Sequence, residues 1–470
     1  MKPQIYSALI ALLLVGCAVG PDYRQPNTKA PANWSEAQLA GTPVVEWWKT
    51  FNDPELDSLV ERAVTANHDL RMATARLREA RAQRGAAFWD LGPAINGKAS
   101  YTDARTSKNA LTFPIPKLDT DTYDAGFDAS WEIDVFGGKR RTLEAANADV
   151  AASEEDRRDV LVSLLAEVAR NYVEVRGFQS RLTITRNNIQ SQEAALKLTQ
   201  ARFKGGVSGE LDVTQAAALL AGTQSQLPAL EALLKQAMHR LAVLLGQEPG
   251  ALVAELSQDA PIPATPPEVP VGLPSELLRR RPDVRRAERQ LAGATARIGV
   301  QTAELFPKFS LVGVAGLQSL GASDWFTGGS RYWSAGPTVT WRIFDLGRVR
   351  SQIKVANARE EQALAAYEKT VLTSLEDVEN ALVAYAKEQE RHRSLQEQVK
   401  ANRRAVELAN ERYTKGVADF LNVLDAERSL YQAEDNLVQS ERAVTANLIA
   451  LYKSLGGGWE EDARDQQAMK

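Results

Sequence analysis

The most regular feature of the chain is a strict alternation of apolar and polar positions. From Tyr123 to Ile133 the odd-numbered residues are apolar or aromatic, whereas the even-numbered residues are polar or glycine. The pattern recurs from Trp333 to Ile343, and weaker alternation precedes each segment at 95–102 and 309–318. A period of two predicts β-strands; about ten alternating residues with terminal aromatics are typical of transmembrane β-barrels, although a half-buried soluble hairpin alternates in the same way. We predict strands at about 94–103, 122–134, 308–318 and 332–343.

Two longer stretches, 139–203 and 348–413, contain no proline and repeat apolar residues at every seventh position. At 1.5 Å per residue, each would form a helix about 100 Å long. A single apolar seam between wide polar faces favours helices packed side by side in a wall beside water. The seam positions include Leu161, Val168, Val175 and Leu182 in the first stretch, and Val371, Val378, Tyr385 and His392 in the second.

Glycines follow both long stretches. Gly205 and Gly206 follow the first and Gly416 follows the second, and glycine adopts the left-handed conformation that ends a helix at little cost. We therefore predict tight turns at these glycines, with return helices at about 211–245 and 421–455. Pro228 should kink or break the first return helix, because proline removes a hydrogen bond and clashes with the preceding turn.

The chain repeats itself. An offset of 210 relates residues 131–246 to residues 341–456, and an offset of 214 relates residues 69–93 to residues 283–307. A constant offset over more than a hundred residues predicts two copies of one structural unit. We assign the first repeat to 53–248, a proline-rich connector to 249–273, the second repeat to 274–458 and a polar tail to 459–470.

The amino terminus has the pattern of an export signal. An apolar run at Ile5–Val15 is too short to cross a bilayer. It leads into Cys17 through small residues, which resembles a bacterial lipobox, where the cysteine receives an S-diacylglycerol and an N-acyl chain. We expect a signal peptide at 1–16, lipidation of Cys17 and a lipid-anchored segment at 17–52; the alternative is an incidental cysteine behind an ordinary signal. Ala18 after the cysteine favours the outer membrane, by resemblance to enteric-type sorting.

Composition narrows the class of protein. The 470 residues are 44% hydrophobic and 25% charged, which argues against disorder and against a helical multi-span membrane protein. The formal charge is −4, so the chain as a whole lacks the excess of basic residues that is typical of nucleic-acid-binding proteins. One cysteine and three widely separated histidines do not form a disulfide framework or a metal site. We expect no metal, no cofactor other than the covalent lipid, and no enzyme activity.

Four strands from one chain cannot form a stable structure in a membrane by themselves. Lipid does not tolerate the unpaired edges that four strands would leave, and barrels of about eight strands are filled by their own side chains. A water-filled lumen needs more strands. Three chains would supply twelve, so the sequence favours a homotrimer over a dimer.

Five sets of residues resemble the TolC-type outer-membrane factors, in the lipoprotein branch called NodT. The resemblance spans nearly the whole mature chain, and copy one departs mildly from copy two, with Gly92-Pro93 in place of Phe306-Pro307. The matching sets are Cys17 to Tyr23, Trp47-Trp48 with Phe51 and Asp53-Pro54, Leu277 to Glu288 (LLRRRPDVRRAE), Leu305 to Pro307, and Tyr413 to Asp425.

The resemblance implies an α+β membrane protein, in which a trimeric twelve-stranded barrel continues into a long periplasmic α-helical barrel. It also implies location in the outer membrane and a passive role as exit duct for drugs and other toxic compounds. The implied partners are a periplasmic adaptor and an inner-membrane pump of the resistance-nodulation-division (RND) type.

Family members close the periplasmic tip of this duct with rings of aspartates and polar links between helices. By resemblance, Asp425 corresponds to a ring aspartate, and Tyr413 and Arg428 correspond to residues that tether neighbouring helices. Asn422 stands where some members have a second aspartate, and Asp212 occupies the same position in the first repeat. Ala418 replaces an arginine used in some members, so we expect that link to be absent.

Two other functions fit parts of the sequence. A lipid-anchored coiled-coil spacer would use the lipobox and the heptads but leave the alternating strands and glycine turns without a role. A periplasmic hydrolase would use the many carboxylates, but no Ser/His/Asp grouping, glycine cradle or metal-ligand spacing is present. The sequence does not specify the exported compounds, the cognate partners or the resting state of the gate.

Overall fold

The computed structural model describes residues 18–28, 31, 33–34, 44–110, 118–266, 274 and 279–459. The predicted signal peptide, the lipidation site Cys17 and residues 460–470 of the polar tail lie outside these ranges. Within the described ranges, no helix is both long enough and apolar enough to cross a membrane.

From the helix before the first strand onward, helices and strands follow one another in the same order in both repeats. The first repeat has α1 (Pro54–Ala66), α2 (His68–Trp89), β1 (Ala94–Arg105), β2 (Asp119–Ile133), α3 (Gly138–Lys204), α4 (Glu210–Gln224) and α5 (Gln226–Leu244). The second has α6 (Pro282–Ala303), β3 (Lys308–Ser319), β4 (Arg331–Thr340), α7 (Leu346–Thr414) and α8 (Phe420–Ser454). The two long helices, of 67 and 69 residues, therefore form where the heptads predicted them.

The return helices differ between the repeats as Pro228 predicts. The first is broken into α4 and α5 at Ser225, whereas α8 runs without a break for 35 residues. Pro228 lies in the first turn of α5, where a backbone N–H has no partner within the helix to lose.

The predicted end of the fourth strand is wrong. We expected it to reach residue 343, but β4 ends at Thr340. Thr340 pairs with Lys308, which is the first residue of β3. The residues after Thr340 therefore have no residue of β3 to pair with. Pro337 pairs with Leu311 in an unbroken register, so no bulge accommodates this proline.

The four strands form one antiparallel sheet in the order β1-β2-β3-β4. The register aligns Tyr101 with Tyr123, Tyr123 with Ser319 and Ala315 with Trp333, so odd-numbered residues of all four strands share one face. Large apolar side chains on that face are exposed, namely Ile95, Phe127, Leu311, Trp333 and Val339. The opposite face is richer in polar residues; it contains Lys98, Asp124, Asp128, Glu132 and Tyr332, together with Val312 and Val314. Among the residues that the structure describes, no strand lies beside the outer edge of β1 or of β4.

A pair of glycines brings β2 and β3 unusually close together on the polar face. Gly126 and Gly316 pair with each other, and a Cβ at either position would lie 2.6 Å from a backbone oxygen of the other strand. The ring of Tyr332 lies against Gly316, and its hydroxyl donates to Asp124 Oδ2 at 2.9 Å. Tyr332 thus fills the space that the two glycines leave.

The chain divides into two compact units, each built from both repeats. Unit 1 comprises residues 1–27, 76–154 and 286–368, and unit 2 comprises residues 28–75, 155–285 and 369–470. The described part of unit 2 contains a large apolar core in which Trp47 stacks on Tyr452 with 5.3 Å between ring centroids. Leu252, Leu256 and Ile262 of the connector are buried in this core.

Candidate gate at the helix turns

The ends of α3 and α7 close with the same backbone turn. In the first turn, Gly206 N–H donates to Phe203 O and Val207 N–H donates to Arg202 O, both at 2.9 Å. Equivalent bonds of the same length follow α7, where Gly416 occupies the place of Gly206. Gly206 and Gly416 have φ of +75° and +71°, which is the left-handed conformation of a helix-ending glycine. The structure therefore places the predicted turn glycines at two equivalent tips.

Tyr413 is buried where three helices of unit 2 meet. Its ring centroid lies 5.1 Å from that of Phe420 on α8, and the Arg202 guanidinium on α3 lies 4.6 Å from its centroid. Arg202 also donates to Thr414 O at 3.4 Å. Burial raises the pKa of the Tyr413 phenol; Arg202 opposes this effect and Asp212 adds to it. Tyr413 therefore links α3, α7 and α8 as a neutral phenol.

Asp425 and Arg428 lie together on the solvent-exposed face of α8. Arg428 Nη2 donates to Asp425 Oδ1 at 3.2 Å, and the side chains are 73% and 59% exposed, respectively. Within this chain, Arg428 therefore pairs with its own helix rather than with a neighbouring one. An exposed pair of this kind contributes at most about 1 kcal/mol to stability, so its main effect is on the local charge.

The two remaining candidates occupy different surroundings. Asn422 is exposed on α8, and its side-chain amide donates to Asp419 O at 3.4 Å. Asp212 is half-buried in the first turn of α4, near enough to Tyr413 to raise its pKa. The structure thus brings Asp212 to Tyr413, and it leaves Asp425, Arg428 and Asn422 as an exposed polar group on α8.

The sequence did not predict two further links between helices of unit 2, nor a partly buried glutamate on α8. Arg181 on α3 donates to Asp435 on α8 at 2.6 Å, and Tyr431 on α8 donates to Gln226 on α5 at 2.5 Å. Glu427 is partly buried on α8; burial raises its pKa, and its Oε2 has no hydrogen-bond partner among the described residues. Arg202 was detectable in the sequence as the counterpart of Arg412 at the offset of 210. No sequence pattern marks Asp435 or Glu427.

The described residues do not contain a grouping of side chains that would bind a metal ion. In the part of the chain that the structure describes, no three His, Cys, Asp or Glu side chains come together as metal ligands would. The candidate site consists of charged groups and hydrogen bonds around helix ends.

A two-faced strand sheet joined to long helices that turn at glycines is the structure of an outer-membrane efflux channel. The chain belongs to the outer membrane efflux protein family, whose profile matches residues 59–247 and 273–457. Proteins of this family are passive transporters in the outer membrane and not enzymes. The family predicted from sequence is therefore confirmed, and the two matched segments are separated at the proline-rich connector.

Individual relatives match over almost the whole chain. The pyoverdine export outer membrane protein OpmQ of Pseudomonas aeruginosa is 35% identical over 98% of this chain and 98% of the relative. Nodulation protein T of Rhizobium leguminosarum bv. trifolii is 32% identical over 97% of each chain. The solved structure of the outer-membrane channel OprN is 42% identical, with a TM-score of 0.90 over 95% of this chain and 100% of OprN.

Proposed function

We propose that three copies of this chain form the outer-membrane exit duct of a tripartite efflux system driven by an inner-membrane RND pump. The observation that carries the proposal is the four-stranded sheet. It exposes large apolar side chains on one face, and neither edge has a partner strand in the part of the chain that the structure describes. A lipid environment requires that such edges be closed by further strands. Pairing β4 of each copy with β1 of the next gives a twelve-stranded barrel with its polar face inward.

The polar face suits a water-filled lumen. Lys98 lies 3.6 Å from Asp124, and Asn96 donates to Asp128 at 3.0 Å. Charged and amide groups of this kind remain solvated in a lumen but would be costly in lipid. The duct thus offers a wet path for compounds that have already been brought to it, and it does no chemistry on them.

We place the gate at the tips of α3 and α7. Three copies of Asp425 around a narrow passage would repel one another, attract cations and be screened by salt. Arg428 partly neutralises the charge of Asp425 in the same chain. The contact of Tyr413 with Arg202 holds the helices of each chain together. In this proposal Asp212 acts on the gate through its interaction with Tyr413. Asn422 is uncharged, so it does not form a second ring of charge.

The partners follow from the position of the duct. A periplasmic adaptor would engage the helical end and connect it to the pump, and lipidated Cys17 would add an anchor in the outer membrane. One relative is named for pyoverdine export and another for nodulation. Because cargoes differ among channels of one fold, we propose that the pump selects the compound and that this chain supplies the shared exit.

The first test is the mass of the detergent-solubilised protein, corrected for bound detergent. We expect three times the 51.5 kDa chain mass, less the signal peptides, together with discrete conductance steps in a planar bilayer. Expression in a strain that lacks its own outer-membrane efflux channel should restore resistance to pump substrates. A monomeric mass in several mild detergents would contradict the proposal, because four strands alone leave open edges.

A further inference from the structure

Asp124 on β2 is nearly buried on the polar face of the sheet. It is only 7% exposed, although its partners in register on this face, Ser100 of β1 and Gln318 of β3, are exposed. A charged carboxylate is costly to remove from water unless other groups bind it. Side chains from the two outer strands of the sheet, β1 and β4, supply those groups.

Tyr332 reaches Asp124 from two strands away. It lies on β4, about 10 Å from β2, yet its hydroxyl donates to Asp124 Oδ2 at 2.9 Å. The ring crosses β3 at Gly316, where a Cβ would lie 3.0 Å from the ring atom Cε1. Side chains usually stand perpendicular to a sheet. This ring lies along the sheet instead, because its hydroxyl is bound to Asp124 and Gly316 has no side chain in its way.

Lys98 approaches Asp124 from the opposite side. It lies on β1, opposite Gly126 of β2, and its Nζ is 3.6 Å from Asp124 Oδ1. The Lys98 side chain is about half exposed, so its charge acts on the space in front of the sheet as well as on Asp124. We call Lys98, Asp124 and Tyr332 the Asp124 cluster. Its members come from β1, β2 and β4 and span the width of the sheet.

We propose that Asp124 sets both the bore and the charge preference of the passage at this level of the strands. It holds the Tyr332 ring against the wall, which keeps the ring out of the passage, and it balances the charge of Lys98. This inference rests on the proposed duct, in which the polar face lines the lumen and three copies bring three clusters to one level. Asp124 is thus a positioning residue that acts through its two partners.

The charge and the hydrogen bond of Asp124 have separable effects. Charges on the wall of a narrow passage attract solutes of opposite charge within about 10 Å at 0.1 M salt. Loss of the Asp124 charge should therefore favour anions, and loss of the Lys98 charge should favour cations. Loss of the hydrogen-bond acceptor should in addition release the Tyr332 ring and narrow the passage. Asp128 and Glu132 on the same face stay in every variant, so their charges are a constant background.

A cysteine deeper in the lumen can report both effects. Ser334 is exposed on the same face of β4, two residues or about 7 Å nearer the helices than Tyr332. The full chain with Ser334→Cys, reconstituted in lipid nanodiscs, is labelled with a cationic and an anionic methanethiosulfonate of similar size. The ratio of the two rates reports the local charge, and the mean rate reports access. The chain without Ser334→Cys gives the background from Cys17.

The substitutions separate charge from access. Asp124→Asn keeps an acceptor for Tyr332 and removes the charge, so we expect the cation-to-anion rate ratio to fall about fivefold with the mean rate unchanged. Lys98→Gln should raise the ratio by a similar factor. Asp124→Ala should lower the ratio and also slow both reagents; adding Tyr332→Ser should restore the rates but not the ratio. In 1 M salt, where the Debye length is about 3 Å, the changes in ratio should largely vanish.

The apolar face of the sheet offers a matched control. There Tyr101 donates to Asp121 Oδ1 at 2.8 Å, which is a bond of the same chemistry to another aspartate of β2. Asp121→Asn should leave both the ratio and the mean rate unchanged, because this face is directed away from the lumen. A change in the ratio with Asp121→Asn but not with Asp124→Asn would overturn the assignment of faces.

Each variant is first checked for a trimeric mass. Lys98 is exposed, so Lys98→Gln tests the charge role even if a change at Asp124 prevents assembly. Trimers with unchanged ratios would overturn that role, whatever the change in thermal midpoint, because a purely structural cluster affects stability alone. Equal rates in Asp124→Ala and Asp124→Asn would show that Asp124 does not hold the ring. A monomeric mass for the unmodified protein would instead overturn the proposed duct.

Discussion

In the turn that follows α3, the adjacent glycines Gly205 and Gly206 differ in the backbone angle φ. Gly206 has φ of +75°, with open space where a Cβ would lie, whereas Gly205 does not have positive φ and a Cβ there would make only ordinary contacts. Gly206→Ala should therefore cost about 1 kcal/mol through the left-handed backbone alone, whereas Gly205→Ala should be nearly neutral. Hydrogen exchange of the Val207 amide should become about fivefold faster only in the first variant. Equal effects would contradict this account of the turn.

The Asp425–Arg428 pair should affect conductance more than stability. Because both side chains are exposed, Asp425→Asn should change the thermal midpoint little but should weaken cation attraction at the tip. We expect Arg428→Ala, which leaves the three Asp425 carboxylates without their cationic partner, to loosen the closed tip through their repulsion and to raise the conductance of the isolated channel, whereas Asp425→Asn should lower its preference for cations. Arg404 and Glu407 form a similarly exposed pair on α7, so Glu407→Gln is the matched control. Unchanged conductance in all Asp425 and Arg428 variants would remove the gate from this position.

At the scale of elements, the attachment of α1 to the connector depends on pH. Arg62 on α1 binds both oxygens of Glu255, at 2.5 and 3.1 Å, and this interaction lowers the pKa of Glu255. Burial, followed by the proximity of Glu255, raises the pKa of Glu55. The stability that protonated Glu55 contributes is therefore present below its unfolded pKa and is lost as pH rises through its folded pKa.

Two variants separate these opposite effects. Glu55→Gln should raise the thermal midpoint more at pH 8 than at pH 4, because it removes a partly buried charge that is present mainly at the higher pH. Glu255→Gln should lower the midpoint mainly at pH 8, because the ion pair with Arg62 is lost as pH falls. Identical pH profiles for both variants and the parent protein would show that the two carboxyls do not interact.

Local patterns predicted the elements well because their causes lie close together in sequence. Period-two alternation located four strands, heptads located α3 and α7, and Pro228 predicted the break between α4 and α5. The end of β4 could not be predicted, because it depends on where β3 begins to pair. The partner of Arg428 was equally hidden, since a resemblance identifies a residue but not the side chain that it contacts in this chain.

At the scale of the whole molecule, the repeats and the compact units divide the chain differently. Each unit takes segments from both repeats, so neither repeat encloses a core by itself. The offsets of 210 and 214 revealed the duplication but not this interleaving, because sequence similarity carries no information on which segments pack together.

The amino-terminal segment should connect the lipid anchor to the strand-bearing unit. Val19 N–H donates to Phe136 O at 3.1 Å, and Arg141 donates to Val19 O and to Asp22, so the chain is held firmly from just beyond Cys17. The anchor and the end of β2 should then meet the same membrane. Cys17→Ser should abolish palmitate labelling yet leave the protein in the outer-membrane fraction and resistant to carbonate extraction, because the proposed barrel holds it there. Labelling that survives would refute lipidation at Cys17, and release by carbonate would show that the acyl chains, rather than the strands, attach the protein to the membrane.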